Sequence, residues 1–158
     1  MEKDKIIIYT DGAARGNPGK AGWGVVFIMG NKIFELGGRA DHATNNIMEL
    51  TAAIEGLKYV KFKMSKTVFD SVEIFADSKY VITGINEWIH NWLKNNWRTA
   101  NKKAVLNQEL WQEIHALNQE FKPKWHYVKG HNGDKHNDRA DLIATSFADG
   151  ESVNLRSI

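Results

Sequence analysis

The chain has 158 residues, 42% hydrophobic and 25% charged, with no cysteine. That fits one folded domain with its own core, and it excludes disulfides, cysteine-ligated zinc and thiol catalysis. The formal net charge is only +2, from 21 Lys and Arg against 19 Asp and Glu, so any nucleic-acid reading must rest on how charge is distributed, not on its sum. No apolar run approaches the roughly 20 residues that cross a bilayer, and the apolar stretch behind the charged N-terminus is too short for a signal peptide. A cytoplasmic location without membrane association is expected, and the chain, which starts with Met, is expected to be complete.

Residues 5–11 (KIIIYTD) read as a strand closed by Gly12. Residues 22–29 (GWGVVFIM) and 32–38 (KIFELGG) read as two more, with Gly30-Asn31 as the hairpin turn between them. Residues 45–59 read as a helix, because Ile47, Leu50, Ala53, Ile54 and Leu57 recur at helical spacing and Thr44 or Asn45 can cap it. A strand at 71–76 follows, then helices at 78–85 and 87–93. Residues 106–117 form a helix with Leu106, Leu110, Ile114 and Leu117 on one face; 124–128 is a strand behind Pro123; 137–148 is the last helix. Residues 149–158 read as a loose, flexible tail after a single domain at 1–148. Hairpins first and strand–helix–strand crossings later predict an α/β fold. Its five-stranded mixed sheet has three antiparallel strands, then parallel ones, with helices on its faces.

Two strands deliver a carboxylate: Asp11 at the end of the first, Asp77 at the end of the fourth. If the two are parallel neighbours, both acids emerge at one edge, where ligands bind in open α/β sheets. Alternation puts Asp11 with Ile7 and Tyr9, and Asp77 with Glu73 and Phe75. Glu49 lies one turn into the first long helix beside its apolar stripe, and Asp141 lies near the start of the last helix beside Leu142 and Ile143. Taken singly, each has an ordinary reading. Asp11 can be a turn residue, Asp77 a helix cap, Glu49 a solvated face, and Asp141 a residue favoured at a helix N-terminus. Gathered at one edge, the four would repel one another unless a cation sat between them. Carboxylates without cysteine or clustered histidine suit Mg²⁺ or Mn²⁺, and two such ions can activate a water and stabilise a leaving oxygen in phosphodiester hydrolysis.

Four blocks now stand in order: YTDGAARGNPG, TNNIMELTAAIEGL, IFADSKYVITGINEWIHNWLKNNWRTANKKAVLNQELW and WHYVKGHNGDKHNDRADLIA. Together, over about 5 to 148, they closely resemble bacterial type 1 ribonuclease H. The resemblance implies endonucleolytic hydrolysis of the RNA strand of RNA–DNA hybrids, leaving 5′-phosphate and 3′-hydroxyl ends. It implies a monomer whose metal ligands are Asp11, Glu49, Asp77 and Asp141, holding two Mg²⁺ (or Mn²⁺) ions with substrate bound. It makes His131, in VKGHNGD between Gly130 and Gly133, a catalytic residue. An unperturbed pKa of about 6.5 suits such a histidine to proton transfer near neutral pH.

The resemblance also distributes the hybrid's two strands. The RNA strand, marked by its 2′-OH, is expected at the Gly12 backbone and at the side chains of Asn17, Asn45 and Asn46. The asparagines also have ordinary readings as turn and cap residues. The DNA strand is expected at Trp88 and at a phosphate pocket of Thr44 and Asn107. It is also expected along the acid-free segment 88–108, with Lys94, Arg98, Lys102 and Lys103. Trp92, four residues after Trp88, is expected to pack in the core instead. Two departures from the bacterial pattern stand out: Asn95-Asn96 where more basic residues and a glycine are common, and Lys79, where a glutamine is common, placed to meet a phosphate. Alternative functions are a DNA-directed nuclease on the same fold and a hybrid-binding module without catalysis.

Overall fold

The computed structural model describes residues 4–64, 69–130 and 133–157. In chain order the elements are β1 (Asp4–Gly16), β2 (Gly19–Met29), β3 (Lys32–Ala43), α1 (Asn45–Lys63) and β4 (Phe69–Ala76). Then come α2 (Lys79–Thr83), a π turn (Gly84–Trp88), α3 (Ile89–Lys94), α4 (Gln108–Phe121), β5 (Lys124–Tyr127) and α5 (Lys135–Ala148). The sheet has five strands in the order β3-β2-β1-β4-β5. β1, β2 and β3 pair antiparallel, while β1–β4 and β4–β5 pair parallel, as expected. Among the described residues no helix is long and apolar enough to cross a membrane.

β1 is central, and its alternation serves two cores. Ile6 and Ile8 are fully buried with Val25, Phe27, Leu50, Leu57 and Ile74, on the face that α1 and α4 cover. Ile7 and Tyr9 point the other way, where Ile143 of α5 packs against Val26. Burying each such side chain contributes about 1.5–3 kcal/mol.

Several boundaries differ from the sequence reading, each for a physical reason. β1 does not end at Asp11: it runs to Gly16, paired with β2 from Asp11↔Gly24 to Gly16↔Gly19. What stops there is the parallel ladder, whose last pair is Thr10↔Ala76. Beyond it the β4 side of β1 is open, and Asp11 stands at that step. The helices expected at 78–85 and 87–93 are one helical run from Lys79 to Lys94, with the π turn in its middle. At that turn the helix meets the core closely, and a Cβ on Gly84 would collide with the ring of Trp111. The bare backbone there accepts the indole.

α4 begins at Gln108, because Asn107 adopts a left-handed conformation (φ 60°). Leu106 therefore falls outside the helix and is 76% exposed, and the buried stripe is Trp111, Ile114 and Leu117. α5 starts at Lys135, two residues early, because Asp134 caps it by accepting from the His136 and Asn137 N–H groups. The segment after α5, read as a loose tail, is tied back through its described part. Glu35 N–H donates to the Arg156 carbonyl, Arg156 N–H donates to Glu35 Oε1, and Val153 N–H donates to Ser146 Oγ. Glu35 is buried in β3 and also takes a two-pronged bond from Arg139 of α5, at 2.8 and 3.0 Å.

Candidate active site

The ordinary readings of three acids fail on geometry. Asp11 is no turn residue: it lies mid-strand and is 3% exposed. Asp77 does not cap α2, because the cap is Ser78, whose hydroxyl accepts from the Val81 N–H. Glu49 is not a solvated face, since it is buried at 8% exposure. The geometry is crowded because Gly12 has no side chain: a Cβ there would collide with the backbone of Met48 and Glu49. α1 thus packs directly onto β1. The Gly12 N–H then donates to two carboxylates at once, Asp11 Oδ1 at 2.8 Å and Glu49 Oε1 at 2.9 Å.

Oxygens of Asp11, Glu49 and Asp77 lie within 4.8 Å of one another. Asp11 Oδ2 and Glu49 Oε2 are buried and have no hydrogen-bond partner. Burial first, then the charges of Glu49 and Asp77, push the Asp11 carboxyl far up. Burial, together with the charges of Asp77 and Asp141, raises Glu49 against the opposing bond from the Gly12 N–H. Burial first, and the charge of Asp141, raise the Asp77 carboxyl. Each unpaired buried charge costs several kcal/mol. Two bare carboxylate oxygens facing a third acid fit a hard divalent cation. Asp141, half-buried on α5, lines the same cleft but stands outside the tight three-residue cluster.

That cleft encloses about 600 Å³ and brings together Asp11, Gly12, Asn45, Asn46, Glu49, Asp77 and Asp141. Its rim is braced by polar bonds. Asn45 Oδ1 accepts from the Ala14 N–H at 2.7 Å, Asn17 Oδ1 accepts from the Asn45 N–H at 3.1 Å, and Thr44 caps α1 through the Ile47 N–H. The other named residues stand apart from it. Trp88 and Arg98 line a separate cavity of about 310 Å³. Lys94, Lys102 and Lys103 are exposed, and Asn107 donates to the Tyr80 hydroxyl. Lys79 is exposed, its ammonium 5.7 Å from the centre of the Tyr127 ring. Trp92 packs in the core as expected, its ring 5.3 Å from that of Trp111, whereas Trp88 is 37% exposed. His131 lies outside the described residues. Gly130 beside it approaches Asp77, where a Cβ would stand 3.1 Å from Oδ2.

Two residues escaped the sequence reading. Asn137 is 1% exposed and stands beside Asp77, whose carboxyl it holds down. Its spacing of four from Asp141 on one helix was the available signal. Arg15 is the one Lys or Arg lining the cleft among the described residues. It stood in plain view in TDGAARGNPG, with nothing in the pattern to mark it.

Fold and site together define a class: an α/β domain that gathers carboxylates where its central parallel ladder ends, as a divalent-metal-dependent enzyme does. The RNase H family model matches residues 3–149, and the chain belongs to that family. It is 51% identical over 146 residues to a ribonuclease H of Ruthia magnifica subsp. Calyptogena magnifica, covering 92% of this chain and 97% of the relative. To a ribonuclease H of Thermosynechococcus vestitus it is 49% identical over 152 residues, covering 96% and 93%. Among solved structures it resembles LC11-RNase H1 in complex with RNA/DNA hybrid. That match has a TM-score of 0.68 at 31% identity and covers 92% of this chain and 97% of that one.

Proposed function

We propose that this protein is a cytoplasmic, monomeric endonuclease that hydrolyses the RNA strand of RNA–DNA hybrids, leaving 5′-phosphate and 3′-hydroxyl ends. The observation that carries this reading is the packing of Asp11, Glu49 and Asp77 oxygens within 4.8 Å, two of them buried without a partner. Bound Mg²⁺, as two ions with substrate present and with Mn²⁺ as a substitute, supplies Lewis-acid activation of water and of the phosphodiester. Asp11, Glu49, Asp77 and Asp141 hold that metal. The Gly12 N–H fixes two of these carboxylates, and buried Asn137 stands beside Asp77. His131 hands a proton to the leaving oxygen. Gly12, Asn17, Asn45 and Asn46 meet the RNA strand, whose 2′-OH both donates and accepts. Thr44, Asn107, Trp88, Lys79 and the cations Lys94, Arg98, Lys102 and Lys103 meet phosphates and sugars, chiefly of the DNA strand.

A hybrid-binding module without catalysis is disfavoured by the same packing. Buried carboxylates repel a polyanion and cost stability, so a pure binder gains nothing by keeping them. The test is to incubate the purified protein with labelled RNA–DNA hybrid, double-stranded RNA, single-stranded RNA and double-stranded DNA, with and without Mg²⁺. Metal-dependent cleavage of the hybrid's RNA strand alone is expected. Tight hybrid binding with no cleavage in Mg²⁺ or Mn²⁺ would return the protein to the binding-module reading. Cleavage of double-stranded DNA would favour a DNA-directed nuclease.

A further inference from the structure

Arg15 and Asp149 form a two-pronged ion pair across the cleft rim: Nε donates to Oδ1 at 2.6 Å and Nη2 to Oδ2 at 2.8 Å. The pair joins β1 to the end of α5, 134 residues apart in the chain. Stability does not account for it. Both side chains are about half exposed, at 51% and 46%, and exposed pairs contribute little to stability. Arg15 stands directly across from Lys20 on β2, and like charges opposite one another on neighbouring strands repel. Asp149 is the C-cap of α5, where the helix dipole disfavours an acid. Both residues therefore break a local rule without a local gain, a pattern that marks functional positions.

The placement does make sense toward a ligand. β1 carries Asp11, Ala13 and Arg15 on one face of the sheet, and Arg15 lines the cleft with Asp141 and Thr145 of α5. Among the described residues it is the one cation lining a cleft otherwise dominated by carboxylates. A guanidinium has five N–H donors in a rigid fork. Two are spent on Asp149, which fixes the plane, and the others remain for an anion.

Building on the hybrid-cleavage reading above, we propose that Arg15 is a substrate-contact residue that binds a backbone phosphate of the RNA strand flanking the bond that is cut. The contact gives a positive foothold beside a negative metal site, and it places the strand lengthwise along β1.

The experiment measures equilibrium binding of an RNA–DNA hybrid without divalent metal, over a range of salt, for wild type, Arg15→Gln and Arg15→Lys. Arg15→Gln is expected to weaken binding roughly tenfold, the size of a lost charge-assisted hydrogen bond. It should flatten the slope of log K against log salt by about 0.7–0.9. Arg15→Lys should restore the slope but only part of the affinity, since it keeps the charge and loses the fork. Repeating this with a DNA strand of neutral methylphosphonate linkages separates the strands. The Arg15→Gln penalty should persist, and its disappearance would place the contact on the DNA strand and overturn the proposal. Unchanged affinity and slope in Arg15→Gln, with an unchanged melting temperature showing that it folds, would also overturn it. None of these readings needs turnover, so a protein that binds hybrid without cleaving it would refute the proposed function and still decide the role of Arg15.

Discussion

One backbone N–H, that of Gly12, serves Asp11 and Glu49 together, and the outer oxygen of each acid is left bare. A residue with any side chain at position 12 would push α1 off β1 and separate the two carboxylates. The arrangement is costly without a cation, and the cost depends on pH in a definite sense. These carboxyls are raised in the folded protein. The folded state therefore holds protons that the unfolded chain releases above about pH 4. Their contribution to stability is complete below that value and declines as pH rises toward the raised folded values. In metal-free buffer at neutral pH, Asp11→Asn is expected to raise Tm, and saturating Mg²⁺ should shrink the difference. A lower Tm for Asp11→Asn in EDTA would contradict the crowding account.

Glu35 behaves in the opposite way. Burial pushes its carboxyl up, but the hydrogen bonds and charges of Arg139 and Arg156 outweigh burial and hold it below the ordinary value. Its contribution to stability is present above about pH 4.5 and is lost as pH falls through the depressed folded value. Glu35→Gln should cost about 1.5–3 kcal/mol at neutral pH, the size of a lost hydrogen bond to a charged group, and much less at pH 3. Urea titrations at the two pH values check this.

At the scale of elements, the helical run from Lys79 to Lys94 leads away from the carboxylates. It starts two residues after Asp77 and, at 1.5 Å per residue, carries the chain about 24 Å to the basic segment. On the proposed reading, position along that run separates roles: the metal ligand Asp77 stands just before its start, and the phosphate-binding cations stand at its end and beyond it. Replacing Lys94, Arg98, Lys102 and Lys103 with Gln should raise KM more than it lowers kcat, most clearly at moderate salt. Unchanged KM at low salt would remove the segment from substrate binding. The run also marks where local sequence reading stops. The pattern gives helix on both sides of Gly84, but at the π turn Gly84 packs against Trp111 of α4, a contact no local window contains. Leu106 misled for a related reason: its spacing fits the apolar stripe of α4, yet the left-handed Asn107 starts the helix after it. The same limit applies to β1. The Asp-Gly pair reads as a strand end, whereas β2 carries the pairing on to Gly16.

For the molecule as a whole, the order of elements and the sheet were legible because alternation, helical spacing and the Gly30-Asn31 turn are local signals. Strand pairing then follows from simple connection rules. The four acids were legible as chemistry only in combination, since each alone fits a turn, a cap or a solvated face. The C-terminal segment was not legible as a fixed part of the fold. Its hold depends on Glu35, more than a hundred residues away, whose burial nothing in β3 announces. Removing residues 151–158 should therefore lower Tm by several degrees through loss of the Glu35 and Ser146 bonds. It should leave the hybrid KM of the folded enzyme nearly unchanged. A large rise in KM at unchanged Tm would assign the segment to the substrate instead. Arg15 and Asn137 were missed because their partners, Asp149 and Asp77, lie on elements that meet only in the folded chain.

The measurement that bears most directly on this account is cleavage of a labelled RNA–DNA hybrid by Asp11→Asn in Mg²⁺, with hybrid binding followed on the same preparation. If the buried carboxylates are the metal site, cleavage falls by at least about a thousandfold while the affinity for hybrid stays within a few-fold of wild type. Cleavage at a rate near that of wild type would mean that the chemistry resides elsewhere, and that the crowding of Asp11, Glu49 and Asp77 serves some other purpose.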